Sequence, residues 1–199
     1  MLQLMQALRA YVPFNAQEED DRRRILWALE NAPDVFTRQN SFMHMTASCW
    51  LVNPARDQAL MAWHNVYRSW SWLGGHADGD TDLLAVALRE AREESGVTQV
   101  RPVTPDLFSV EVLTVDGHEK RGAYVGSHLH LNVTYLLEAA QDQPLSIRPE
   151  ENSGVKWFPL DEAVRASCEP WFRDRVYAKL NQKLRQMSAA PVGKAVFPS

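Results

Sequence analysis

The sequence predicts an α/β protein of the α+β kind, in which a mixed β-sheet is flanked by helices within one domain. Three observations carry that expectation. The predicted elements run in the order helix, strands, helix, strands, helix. The stretch His128-Leu129-His130-Leu131-Asn132-Val133-Thr134-Tyr135 alternates polar and apolar residues, the period of a half-buried strand, with Leu129, Leu131, Val133 and Tyr135 on one face. A helix from about Asp82 to Ser95 follows a polar loop and is stopped by Gly96.

Residues 1–40 read as a helical extension. Leu4, Leu8 and Tyr11 recur at helical spacing until Pro13 breaks the pattern. In Glu18-Glu19-Asp20-Asp21-Arg22-Arg23-Arg24 the acids precede the bases by four residues (Glu18/Arg22, Glu19/Arg23, Asp20/Arg24). That order suits a solvated helix start with i,i+4 ion pairs. Met43 to Val52 and Ala59 to His64 are strand-like on either side of the turn sequence Asn53-Pro54-Ala55-Arg56-Asp57, so they predict a hairpin. Thr81 or Asp80 is the expected cap of the central helix. Leu107 to Val115, His128 to Leu136 and Val155 to Phe158 are further strands, and Pro159-Leu160-Asp161-Glu162 opens another helix. Residues 170–187 have amphipathic spacing, and the tail from Ser188 is expected to be loose. The main domain is thus placed at 41–165, with 166–199 a C-terminal helix and tail packed on it.

Composition narrows the function. Hydrophobic residues make up 45% and charged residues 23% of 199, and net charge is −4, so no basic surplus exists to grip a nucleic-acid polymer. No apolar run approaches the roughly 20 residues that span a bilayer, and the first residues lack a basic n-region, so a cytoplasmic protein with no membrane partner is expected. Cys49 and Cys168 lack metal-type spacing and a neighbouring base; they fit reduced thiols better than a disulfide, and thiol catalysis is not expected.

Gly75 to Val97 carries the chemistry. On a helix Glu90, Glu93 and Glu94 fall within about a third of the circumference. Leu84, Ala87, Leu88 and Ala91 form the adjoining apolar stripe. Three carboxylates on one face repel one another, and Arg89, four residues before Glu93, can pair with that acid but cannot neutralise all three. A hard divalent cation with oxygen ligands can. A plain glutamate-rich surface helix paired with Arg89 and Arg92 is the competing reading. Gly74-Gly75 tilts the balance by bringing a strand end and its carbonyl beside the helix.

The segment resembles the Nudix box, G-x5-E-x7-R-E-U-x-E-E-x-G-U with U a bulky aliphatic. Gly75, Arg89, Glu90, Glu93, Glu94, Gly96 and Val97 occupy its fixed positions. Two positions depart from it: Thr81 stands where a glutamate is expected, and Ala91 where a bulky aliphatic is. The resemblance implies a Nudix (MutT-like) fold and a hydrolase that cleaves a phosphoanhydride bond in a nucleoside diphosphate-linked, or related, small molecule. It implies Mg²⁺ or Mn²⁺ held by Glu93 and Glu94, with Glu90 assisting and the Gly74 carbonyl completing the shell. Arg89 would position the carboxylates, and Glu151, or second Glu150, would act as general base. A catalytically weak nucleotide-binding or regulatory module is the alternative that Thr81 keeps open.

For substrate contacts the candidates are His76, Arg68, Trp72, His128 and His130. The two histidines of the alternating strand share the polar face with Asn132, and a cleft lining is preferred over a zinc site there. Trp63, Tyr67, Trp70 and Trp72 cluster with Arg68 and suit either nucleobase stacking or a core. His44 and His64 read as satisfied sheet histidines. The terminal segments are candidates for capping the cleft or for a homodimer contact.

Overall fold

The computed structural model describes residues 1–120 and 122–189. Two helices precede the sheet, α1 (Leu2–Ala10) and α2 (Ala16–Asn31). Asn15 caps α2 by accepting from the Glu18 amide, which satisfies one of the orphan donors of the first turn. Leu4 and Leu8 of α1 and Ile25, Ala28 and Leu29 of α2 are buried in the main core, so the extension packs onto the body of the molecule.

The acidic run of α2 corrects the expected pairing. Arg24 and Arg23 do pair with Asp20, and Arg22 and Arg23 with Glu19, all at the surface. Glu18 does not meet Arg22. It is fully buried and receives Lys183 at 2.8 Å, Lys179 at 3.2 Å and the Tyr11 hydroxyl at 2.6 Å. Burial alone would raise its pKa, yet the two lysines bring it down to about 2. Helical spacing could not reveal this, because both cations come from the far end of the chain.

The sheet contains β1 (Met43–Val52), β2 (Gln58–His64), β3 (Ser69–Ser71), β4 (Leu73–His76), β5 (Val100–Pro102), β6 (Ser109–Val115), β9 (His128–Ala139) and β10 (Asn152–Pro159). A separate short ribbon pairs β7 (His118–Lys120) with β8 (Ala123–Val125). The spatial order is β10-β2-β1-β9-β5, with β3 on β2, β4 on β1 and β6 on β9. The expected hairpin forms between β1 and β2, and β1 also runs parallel to β9 along its whole length. Parallel pairing requires a long crossover, which here contains α3 (Leu83–Ser95).

The period-2 alternation of β9 sorts its side chains as expected. Leu131, Val133 and Tyr135 join the main core under α3, together with Met45, Ala47, Val86, Ala87 and Ala91. The opposite face carries a second core, in which Trp50 and Leu136 pack against α4 (Leu160–Ala166), a π-helical stretch (Phe172–Tyr177) and α5 (Ala178–Ala189). The tail expected to be loose from Ser188 is helical through Ala189, and the remainder lies outside the described residues. Between the second core and the strand ends runs a buried polar network. Asn132 donates to Glu111, Thr46 and Ser48 donate to Asn132, and Lys179 donates to Glu111. Paired in this way, these groups offset the several kcal/mol that burial costs each ion.

Candidate active site

Helix α3 delivers the carboxylates. Its N-cap is Asp82, whose side chain accepts from the Ala85 amide, so neither Thr81 nor Asp80 caps it. Asp80 instead accepts from the Asp82 amide and lies 3.8 Å from Arg89. The exposed Thr81 therefore has an acidic neighbour that faces the box arginine. At the other end Gly96 is left-handed, with φ of 78°. A Cβ there would lie 2.8 Å from the Ser146 amide nitrogen, so both the backbone conformation and the passing loop require glycine.

Strand β4 delivers the glycines. Gly74 and Gly75 pair with Ser48 and Ala47 of β1. A Cβ on Gly75 would sit 2.5 Å from the Glu90 carboxyl carbon, so this position lets the helix carboxylate lie on the strand. The Gly74 amide donates to Glu94.

The loop before β10 delivers the third acid. Buried Asn152 donates to the Glu94 carbonyl and accepts from the Arg148 amide, which fixes residues 148–152 against the end of α3. As a result Glu90, Glu94 and Glu151 offer carboxylate oxygens that lie within 4.8 Å of one another. Glu94 is 8% exposed, and burial, followed by repulsion from Glu90 and Glu151, pushes its carboxyl well above the ordinary range. Glu90 is raised chiefly by burial, with Glu93 and Glu151 adding to it.

Of the expected acids Glu93 stands apart. It is turned outward, 43% exposed, and held by Arg148 at 2.9 Å. The expected Arg89–Glu93 pair is replaced: Arg89 lies 3.4 Å from Glu90. Arg148, which sequence reasoning passed over, stands 3.2 Å from both Glu150 and Glu151 and 3.9 Å from Glu90. Arg89 and Arg148 stand against five acids, Glu90, Glu93, Glu94, Glu150 and Glu151, which leaves a surplus of negative charge. Arg38 was also missed; it forks onto Asp78 and lies within electrostatic reach of Glu151 and Glu90. Neither arginine belongs to a helix pattern, and only folding brings them to the site.

Arg68 is exposed in the β2–β3 turn with φ of 50°. Trp72 packs edge-on against Phe172 and Tyr177, and Trp70 against Phe158 and Trp63, so these rings build the second core. For Trp72 this is the core packing that the sequence allowed beside base stacking. His76, His128 and His130 come together on the sheet face opposite the Gly75–Glu90 contact, and His44 joins them. His44 is not satisfied as expected: its Nε2 is buried with no hydrogen-bond partner among the described residues. Burial, then neighbouring histidines, pushes His130 down to about 2. Cys49 is buried and Cys168 exposed, both as free thiols, and burial raises Cys49 well above the ordinary thiol range, which argues against thiol chemistry.

The sequence model of the NUDIX domain matches residues 43–180. The chain belongs to the NUDIX domain family. Among curated relatives it is 28% identical over 97 residues to the rat bis(5'-nucleosyl)-tetraphosphatase [asymmetrical], and 26% identical over 114 residues to the pig protein of that name. These matches cover 48% and 57% of this chain, and 59% and 71% of the relatives, so the chain spans under two thirds of the rat protein. Among solved structures, the E. coli dihydroneopterin triphosphate pyrophosphohydrolase shares the Nudix fold at a TM-score of 0.50 and 12% identity, covering 68% of this chain and 92% of that one. Among the described residues no helix is long and apolar enough to cross a membrane.

Proposed function

We propose that this Nudix protein is a metal-dependent hydrolase that cleaves a phosphoanhydride bond in a nucleoside diphosphate-linked or related small molecule. The observation that carries the reading is the convergence of Glu90, Glu94 and Glu151 with too little positive charge to balance them. An all-oxygen, carboxylate-rich donor set fits Mg²⁺ or Mn²⁺. Glu90 and Glu94 would hold the ion, and the Gly74 carbonyl of β4 would complete its shell. Such an ion, when bound, neutralises diphosphate oxygens and acidifies a coordinated water.

The chain's own groups do the rest. The Gly74 amide orients the Glu94 carboxylate, and the missing Cβ of Gly75 lets Glu90 settle onto β4. Arg89 braces Glu90 with Asp80 behind it. Glu151, carried on the loop pinned by Asn152, accepts the proton of the attacking water. Glu93 steers Arg148 toward the anionic end of the substrate, and Arg38 adds a second cation on that side.

Dinucleoside polyphosphates are the first substrates to test, since the curated relatives are named for a nucleosyl tetraphosphate. The experiment is a product analysis with Mg²⁺ across dinucleoside polyphosphates, sugar nucleotides, dinucleotide cofactors and oxidised nucleotides. Metal-dependent cleavage of one class supports the reading. Ligand-dependent thermal stabilisation with no product from any class would favour a binding module instead.

A further inference from the structure

Four of the chain's six histidines gather on one sheet face. His44 of β1 lies in register with His130 of β9, and Thr46, two residues along the same face, lies in register with His76 of β4. His44, His76 and His130 offer ring nitrogens within 4.8 Å of one another. Gly75 pairs with Ala47 and faces Glu90 on the other side of the strand, so this cluster is separate from the carboxylates.

The hydrogen bonds decide which nitrogens carry lone pairs. His44 Nδ1 lies 3.0 Å from the Asn40 carbonyl, and His128 Nδ1 lies 2.8 Å from the Gly126 carbonyl. A carbonyl only accepts, so both Nδ1 atoms carry the proton and both Nε2 atoms present lone pairs. This is the outer-shell arrangement that fixes a metal-binding histidine. The His44 Nε2 is buried without a partner, in a residue 5% exposed, and an unpaired buried acceptor is costly. His128 Nε2 stands 3.2 Å from His130 Nε2. Zinc–nitrogen bonds of about 2.0–2.1 Å in a tetrahedron place two ligand nitrogens about 3.3–3.4 Å apart, close to that separation. Nearby charge is balanced, because Arg38 is tied to Asp78.

We propose that His44, His76 and His130 form a transition-metal site, best suited to Zn²⁺, that clips β1, β4 and β9 together, with His128 beside His130 as a supporting imidazole. Imidazole donors select zinc and its neighbours over magnesium, and the three nitrogens would fill all but one position of a tetrahedron. The clip holds the end of β4, which leads from the glycine pair toward α3.

The test is calorimetric titration of Zn²⁺ into the full chain with Mg²⁺ at saturation, alongside the visible absorption of a Co²⁺-loaded sample. The expected result is one Zn²⁺ per chain and a tetrahedral Co²⁺ band. Both should persist in Glu94→Gln, and Zn²⁺ affinity should fall at least about tenfold in His76→Gln and in His44→Gln. If burial makes His44→Gln unfold, the less buried His76→Gln remains informative: it should weaken binding and change the Co²⁺ band. Zn²⁺ binding lost in Glu94→Gln but unaltered in the histidine variants, or no Zn²⁺ uptake with Mg²⁺ present, would overturn the proposal.

Discussion

Replacing Gly75 with alanine separates catalysis from stability. The added Cβ would lie 2.5 Å from the Glu90 carboxyl carbon, 2.8 Å from Oε1 and 2.9 Å from Cγ. Ordinary contact begins near 3.4 Å, so the carboxylate must retreat by about 0.9 Å. Because a flexible side-chain end gives way, and Gly75 is not among the positive-φ glycines, folding should suffer little. An alanine compatible with the backbone even gains about 0.4–1 kcal/mol through the unfolded state. A metal-holding carboxylate displaced by about 1 Å should cost roughly 100-fold in kcat/KM. Gly74→Ala is the contrast: its Cβ would meet Ala47 O and Ser48 Cα at 2.7 Å, both backbone atoms of β1. There the cost should be about 1–3 kcal/mol of stability. Steady-state kinetics under saturating Mg²⁺, with thermal melts of both variants, provides the assay. A Gly75→Ala enzyme within about twofold of wild type would refute the placement of Glu90 as a metal ligand, and one destabilised as much as Gly74→Ala would refute the yielding of its side chain.

Further outcomes follow from the same geometry. Glu94→Gln should lower turnover by about two to four orders of magnitude while the protein stays folded, as measured by product release and circular dichroism. Arg148→Gln removes charge-assisted bonds worth about 1.5–3 kcal/mol and should lower kcat/KM by roughly 10–100-fold in the same assay. Asp80→Asn breaks only a long, exposed pair with Arg89, so the rate should change by less than about fivefold. Lys179→Met strips the cation shared by buried Glu18 and Glu111 and should cost about 3–5 kcal/mol, a fall in Tm of roughly 6–20 °C. Glu18, held near 2 when folded against an ordinary 4.5, contributes stability that is present above 4.5 and lost as pH falls from there toward 2. Denaturant melts across that window should show the loss, and Glu18→Gln should flatten it.

What was legible in the sequence was local. The alternation of β9, the β1–β2 hairpin and the helix ending at Gly96 all follow from spacing and turn chemistry within a few residues, and so does the convergence of Glu90 and Glu94 on α3. What was not legible depends on distant partners. Helical spacing pairs Glu18 with Arg22 because it offers no view of Lys179 and Lys183, more than 160 residues away. The helical wheel groups Glu93 with Glu90 and Glu94 because it cannot show the ion pair with Arg148 that engages it at the surface. Sequence alone presents His44, like His64, as a satisfied sheet histidine, whereas the parallel register of β1 and β9 sets it beside His130. The aromatic run before the box divides in a way no pattern predicts, since the π-helical stretch that absorbs Trp72 lies about 100 residues on.

The most direct test of the central claim is anomalous diffraction from crystals grown with Mn²⁺. The account predicts an ion coordinated by Glu90 and Glu94, with Glu151 beside it and Glu93 still on Arg148. Density showing an arginine guanidinium lodged between Glu90 and Glu94, and manganese absent or bound elsewhere, would contradict it.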